Sequence, residues 1–165
     1  MAAETQVLVD DLYRPYRPKR RTRATIAKEK GLEPLAVLIS LQNSKEPMEK
    51  EAEKYVSEEK GVKNVQEAID GAKDILAENI SDEADYRKRI RDLTFKKGTL
   101  VSAAKDEKAE SVYEMYYDFT EAVSKVAGHR VLALNRGEKE KFLSVKIEAP
   151  EEEILRYLEK KVIRR

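Results

Sequence analysis

Cysteine and tryptophan are absent from this 165-residue chain, phenylalanine occurs three times, and histidine occurs once, at position 129. The missing cysteines exclude disulfides, thiolate catalysis and every cysteine-based zinc site. With a single histidine and no patterned carboxylates, no metal-ligand set can be assembled from the sequence, so no metal and no cofactor is expected. A phosphate loop, a nucleophile elbow and a dinucleotide fingerprint are missing too, and the chain reads as non-catalytic. The longest apolar runs, such as Leu35–Ile39, are too short to cross a bilayer. The first ten residues lack the basic and apolar regions of a signal peptide. A cytoplasmic protein without a membrane partner is the expectation. Charge of one sign is not in excess, since 33 basic and 32 acidic residues leave a net charge of +1. That balance excludes a uniformly basic nucleic-acid binder but leaves room for a local basic patch.

What is present is 41% apolar and 39% Asp, Glu, Lys and Arg. This composition suits helices with a narrow buried stripe and a wide charged face, so the expected fold is a mainly α, compact helical array. Residues 4–12 read as the end of a helix stopped by Pro15. Thr22 caps a short helix through Lys30, with Gly31 as its C′ residue. Pro34 and Pro47 open two more. The clearest helix starts at Asn64 and Glu67, placed as a capping box, and carries Val65, Ala68, Ile69, Ala72, Ile75, Leu76 and Ile80 on one stripe. Ser81 and Asp82 restart the chain into a helix ending before Gly98. A minor, short β element is expected near 99–102 and 142–148, the latter alternating apolar and polar residues. Residues 107–119 read as a helix with Val112, Met115, Tyr116 and Phe119 on one side. Val131–Leu134 is open between helix and strand. Pro150 starts a terminal helix lined by Ile154, Leu155, Leu158 and Val162.

Two basic clusters and the lone histidine are the candidate functional features. His129, between Gly128 and Arg130, reads as a helix cap or a packed side chain. Arg87, Lys88, Arg89, Arg91, Lys96 and Lys97 lie on a helix and read as a solvated face. Residues 13–23 read as an extended arm, because two prolines three apart favour a polyproline-like backbone. The arm holds Arg14, Arg17, Lys19, Arg20, Arg21 and Arg23 with no acid among them, interleaved with Tyr13 and Tyr16. Guanidinium groups pair with phosphates and tyrosine rings stack on unpaired bases, which points to a nucleic-acid contact. The same residues could instead strap the arm across acidic helices, and both readings stand open.

The run DDLYRPYRPKRRTRATIAKEKGLEPLA, Asp10 to Ala36, resembles the hallmark segment of the Tex family of bacterial transcription accessory proteins. The resemblance continues through GAKDILAENI (71–80), Gly98–Ser102, Tyr116–Phe119 and HRVLALNRGEKEKFLSVKIE (129–148). It implies a modular cytoplasmic protein of transcription and nucleic-acid binding, in which a helical region precedes an RNase H-like domain, helix-hairpin-helix elements and an OB-fold RNA-binding module. On this resemblance residues 1–165 are a single, incomplete N-terminal helical module. Its expected partners are nucleic acid (RNA or DNA), the remaining domains and RNA polymerase. Two roles follow: a scaffold segment with an accessory phosphate or polymerase contact through the arm, or a purely architectural module that docks the other domains.

The capped helix yields the first prediction. Ile69→Asp should cost about 3–5 kcal/mol by leaving a charge unpaired against the core. A melting temperature within a couple of degrees of wild type would refute the inward stripe.

Overall fold

The first helix, α1 (Gln6–Tyr13), begins where the Thr5 hydroxyl accepts a hydrogen bond from the Leu8 N–H at 3.3 Å. Glu4, the first residue of the expected helix end, lies outside the described residues, which run from 5 to 164 in this computed structural model. They divide into two compact units, residues 5–87 with 162–164 and residues 88–161, each enclosing an apolar core of its own.

In the first unit Thr22 caps α2 (Arg23–Glu29) by accepting from the Thr25 N–H at 3.1 Å, and the chain leaves through Lys30 and Gly31 at φ +77°. Pro34 sits in the first turn of α3 (Glu33–Leu41), and Pro47 precedes α4 (Met48–Glu53). The long helix α5 (Val65–Asp82) starts as expected: the Asn64 side chain accepts from the Glu67 N–H at 2.9 Å. The Glu67 carboxylate reaches one residue further back than a capping box requires, to the Lys63 N–H. Ala68, Ala72 and Ile75 are buried, with Ile69 and Leu76 packed partly buried beside them. They meet Ala24, Ala27, Leu32, Leu35, Ala52 and Val62. The small residues bring α2 and the start of α3 close to α5: a Cβ on Gly71 would lie 3.4 Å from the Ala27 Cβ and 2.3 Å from a Leu32 methyl.

Helix α5 runs through Ser81 to Asp82, and α6 (Ala84–Lys97) begins only after Glu83, whose ψ of 115° breaks the helix. The expected restart at Ser81 is therefore late by three residues, because Asp82 stays in the last turn of α5 with its carboxylate engaged elsewhere.

The second unit holds a three-stranded antiparallel sheet in the order β2-β1-β3. The strands are β1 (Thr99–Ala104), β2 (Asp118–Ala122) and β3 (Leu143–Glu148), with Val101 paired to Thr120 on one side and Lys146 on the other. Strands β1 and β3 meet the expectation for 99–102 and 142–148. The helix expected over 107–119 is not formed. Only Glu114–Tyr116 makes a turn of 3-10 helix before β2 begins, and Val112 and Met115 are exposed while Tyr113 and Tyr116 are buried. A three-residue period buries the two tyrosines, and pairing with β1 takes the residues from Asp118 onward. Val131–Leu134 falls inside helix α7 (Gly128–Lys139), and α8 (Glu151–Val162) forms as expected after Pro150. The core joins Leu100, Tyr113, Tyr116, Leu134 and Leu143. Eight α-helices and this small sheet make the fold mainly α among the described residues.

Gly137 on α7 is buried against β3, and a Cβ there would meet Leu143 side-chain carbons at 2.5 and 2.9 Å. Gly137→Ala is thus expected to destabilise by about 1–3 kcal/mol through overpacking, measured as a lowered urea midpoint. An unchanged or raised midpoint would show that the helix can slide off Leu143 freely.

Candidate nucleic-acid interface

The arm is less extended than its prolines imply. Tyr13 is the last residue of α1, Arg14–Tyr16 form one 3-10 turn, and Arg23 opens α2. Only 17–22 lie outside helices, starting at Arg17 with φ −68° and ψ 134° ahead of Pro18. A proline φ near −65° fits a first helical turn as readily as a polyproline stretch.

Opposite the arm stand three acids of α5 that the sequence reading passed over: Asp74, Glu78 and Asp82. They are four residues apart, so they share one helix face, a spacing that is legible in the sequence. Arg14 Nε donates to Asp82 Oδ1 at 3.0 Å, and the Lys19 ammonium donates to Asp82 Oδ2 and lies 3.8 Å from Glu78. Thr22, already the cap of α2, donates its hydroxyl to Glu78 at 3.0 Å. Burial on its own would push the Asp82 carboxyl up, but hydrogen bonds and charge from Lys19 and Arg14 outweigh it and hold the group below the usual carboxylate range. Nearby, buried Asp11 of α1 accepts from Arg87 Nε at 3.1 Å, and Arg87 also donates to the Ser81 carbonyl at 3.0 Å. Arg14 and Lys19 therefore strap the arm to α5.

The remaining four cations point outward. Arg17 is 4.0 Å from Asp10, Arg21 is 2.8 Å from Glu29, and Arg23 is 3.7 Å from Asp74, with their side chains 60%, 67% and 86% exposed. Arg20 has no acidic partner among the described residues. Pairs this exposed contribute only about 0–1 kcal/mol, so a phosphate can displace the carboxylate at small cost. Tyr16 is 79% exposed and Tyr13 52%, leaving both rings free for stacking. An open groove of about 530 Å³ lies between the arm and α5, with Arg17, Arg20 and Arg23 on one wall and Asp74 and Glu78 on the other.

The other candidates do not join this site. Within the helix of the second basic cluster, Lys97 pairs with Glu153 at 2.7 Å and the Arg89 guanidinium lies over the Tyr157 ring at 6.0 Å. His129 is neither cap nor core: it is exposed in the first turn of α7, where Ala127 is the N-cap residue. Among the described residues no group of three or more His, Asp or Glu could hold a metal ion, and no helix is long and apolar enough to cross a membrane.

A family model described as Tex central region-like matches residues 42–165. The chain belongs to the Tex family. It is 54% identical over 159 residues to the uncharacterised protein YdcI of Bacillus subtilis, covering 94% of this chain and 22% of that protein. It is 39% identical over 147 residues to protein tex of Bordetella pertussis, covering 88% and 18%. With the human S1 RNA-binding domain-containing protein 1 it shares 30% identity over 143 residues, covering 81% and 14%. The chain thus spans about a fifth of the length of the first two Tex-family relatives. The matched family model begins after the arm, at residue 42.

The Asp82 clasp of this Tex-family chain predicts an acid-sensitive strap. A carboxyl held below its usual value of 3.8 binds fewer protons folded than unfolded. Its contribution is full above that value and is lost as pH falls through the lowered one. Asp82→Asn should therefore cost about 1–3 kcal/mol near neutrality, and the gap to wild type should close on acidification below 3.8. Paired denaturant melts across that range check this; a gap independent of pH would remove the clasp.

Proposed function

We propose that this chain is a non-catalytic helical scaffold segment of a cytoplasmic, nucleic-acid-binding transcription accessory protein, with an accessory phosphate contact made by the arm. One observation supports this reading above the others: Arg17, Arg20, Arg21 and Arg23 stay exposed on a backbone that Arg14 and Lys19 fix to α5. Anchoring lowers the entropy lost when a phosphate chain docks, and loose pairing leaves the guanidinium groups available. The exposed rings of Tyr16 and Tyr13 add a stacking surface. No groove-reading helix presents these side chains, so the contact is phosphate-directed and nearly blind to the sequence of a duplex. The names of two relatives, a transcriptional accessory protein from Neisseria gonorrhoeae and an S1 RNA-binding domain-containing protein from Homo sapiens, accord with such a role.

The rival reading is a purely architectural module that docks the remaining domains without touching nucleic acid. The partly unpaired apolar side chains of α1 favour it, since Val7, Val9 and Leu12 are each more than 40% exposed.

Replacing Arg17, Arg20, Arg21 and Arg23 together with Gln separates the two. Four phosphate contacts give a slope of log K against log salt near −3 on single strands, at about −0.7 per contact. The quadruple variant should flatten that slope and keep its helical circular dichroism, because Arg14, Lys19 and Asp82 still hold the arm. Unfolding of the variant would make these arginines structural partners and favour the architectural reading; binding that persists with an unchanged slope would place the contact elsewhere, on the helix from Arg87 to Lys97.

A further inference from the structure

The groove between arm and α5 has more chemistry than phosphate binding needs. A purely electrostatic track gains nothing from carboxylates in its wall, yet Asp74, Glu78 and Asp82 line it alongside the cations. Two of these are already committed. Asp82 accepts from Arg14 and Lys19, and Glu78 accepts from Thr22. Asp74 is different: its nearest cation, Arg23 Nε, is 3.7 Å away on a side chain 86% exposed, and it accepts no hydrogen bond among the described residues. It is itself 32% exposed, half withdrawn from water and still open to a donor. Pro18, Ala24 and Ala77 give the groove apolar surface beside it. The volume of about 530 Å³ falls within the range of roughly 300–1,000 Å³ usual for small-ligand sites.

We infer that this groove takes one unstacked base of a single-stranded nucleic acid, with the Asp74 carboxylate accepting a hydrogen bond from the base's exocyclic amino group. The inference rests on the phosphate-contact reading above and deepens it. In this arrangement Arg17, Arg20 and Arg23 hold the phosphates flanking the base at the groove's rim, while the ring lies against Pro18 and Ala77. A carboxylate accepts from an amino group but repels a carbonyl in the same place. Cytosine and uracil are nearly the same shape and differ at this position, amino in one and carbonyl in the other. The site therefore favours cytosine over uracil, and bases carrying an amino group in general, in RNA and DNA alike because no contact to a 2′-hydroxyl is invoked.

The test uses the 165-residue chain and fluorescently labelled 12-mers of oligo-rC, oligo-rU, oligo-dC and oligo-dT, with binding read by anisotropy at low salt. Wild type should bind the C oligomers about tenfold more tightly than oligo-rU or oligo-dT, the discrimination expected of a single good base contact. Asp74→Asn should abolish that preference, because an amide can face either base, and should leave uracil binding as strong or stronger by removing a negative charge. The slope of log K against log salt should not change between Asp74→Asn and wild type. Equal binding of the C and U oligomers by wild type overturns the inference and leaves the phosphate contact intact. A shift of all four oligomers by one common factor in Asp74→Asn does the same, since Asp74 then acts only through its charge. If none of the four binds at low salt, the phosphate-contact reading fails, and this inference fails with it.

Discussion

The arrangement of the first unit's surface depends on one buried carboxylate. Asp82, at the last turn of α5, takes hydrogen bonds from both Arg14 and Lys19, residues that flank two prolines in an otherwise weakly held segment. A charge so placed would be costly unpaired, and each of its oxygens is satisfied by a cation of the arm. Fixing two points five residues apart leaves little freedom for what lies between and just beyond them. Arg17, Arg20 and Arg23 consequently line a defined groove rather than trailing in solvent.

The six cations of the arm fall into two groups, firmly held and loosely held. The test of membership is local: a cation facing a withdrawn carboxylate is structural, and one facing an exposed carboxylate is exchangeable. Side-chain exposures of 27% for Lys19 and 12% for its partner Asp82 stand against 67% and 53% for Arg21 and Glu29. Water screens the second kind of pair and leaves it weak, so the same short run holds both firm and loose ion pairs. Asp11 repeats the structural pattern next door, buried at 5% and met by Arg87.

Errors of reading cluster where local and tertiary preferences part. Residues 107–119 contain an apolar spacing that suits a helix, yet Asp118–Ala122 gains more by completing the sheet beside β1. Val112 and Met115 pay for that choice by standing in water, while Tyr113 and Tyr116 go inward; the Tyr113 hydroxyl finds Glu140 at 2.9 Å, and Tyr116 packs edge-on against Phe119. Likewise, the proline spacing of the arm is compatible with two backbones, and contact with α5 selects a short 3-10 turn for the first part of it.

By itself the sequence determined the elements whose signals are local: the caps at Thr22 and Asn64, the Gly31 exit, the proline-led starts of α3 and α8, and the inward stripe of α5. Each follows from hydrogen bonds or periodicity within a few residues, so no distant partner is needed to decide it. It also held the acidic face of Asp74, Glu78 and Asp82 in plain view as a four-residue spacing. Only the tertiary structure decided that this face meets the arm, that Asp82 takes Lys19 and Arg14, and that Asp74 keeps only a loose pair with Arg23. Those choices join residues some sixty positions apart, as Lys19 and Asp82 are, and a pairing of that kind is settled by how the helices pack.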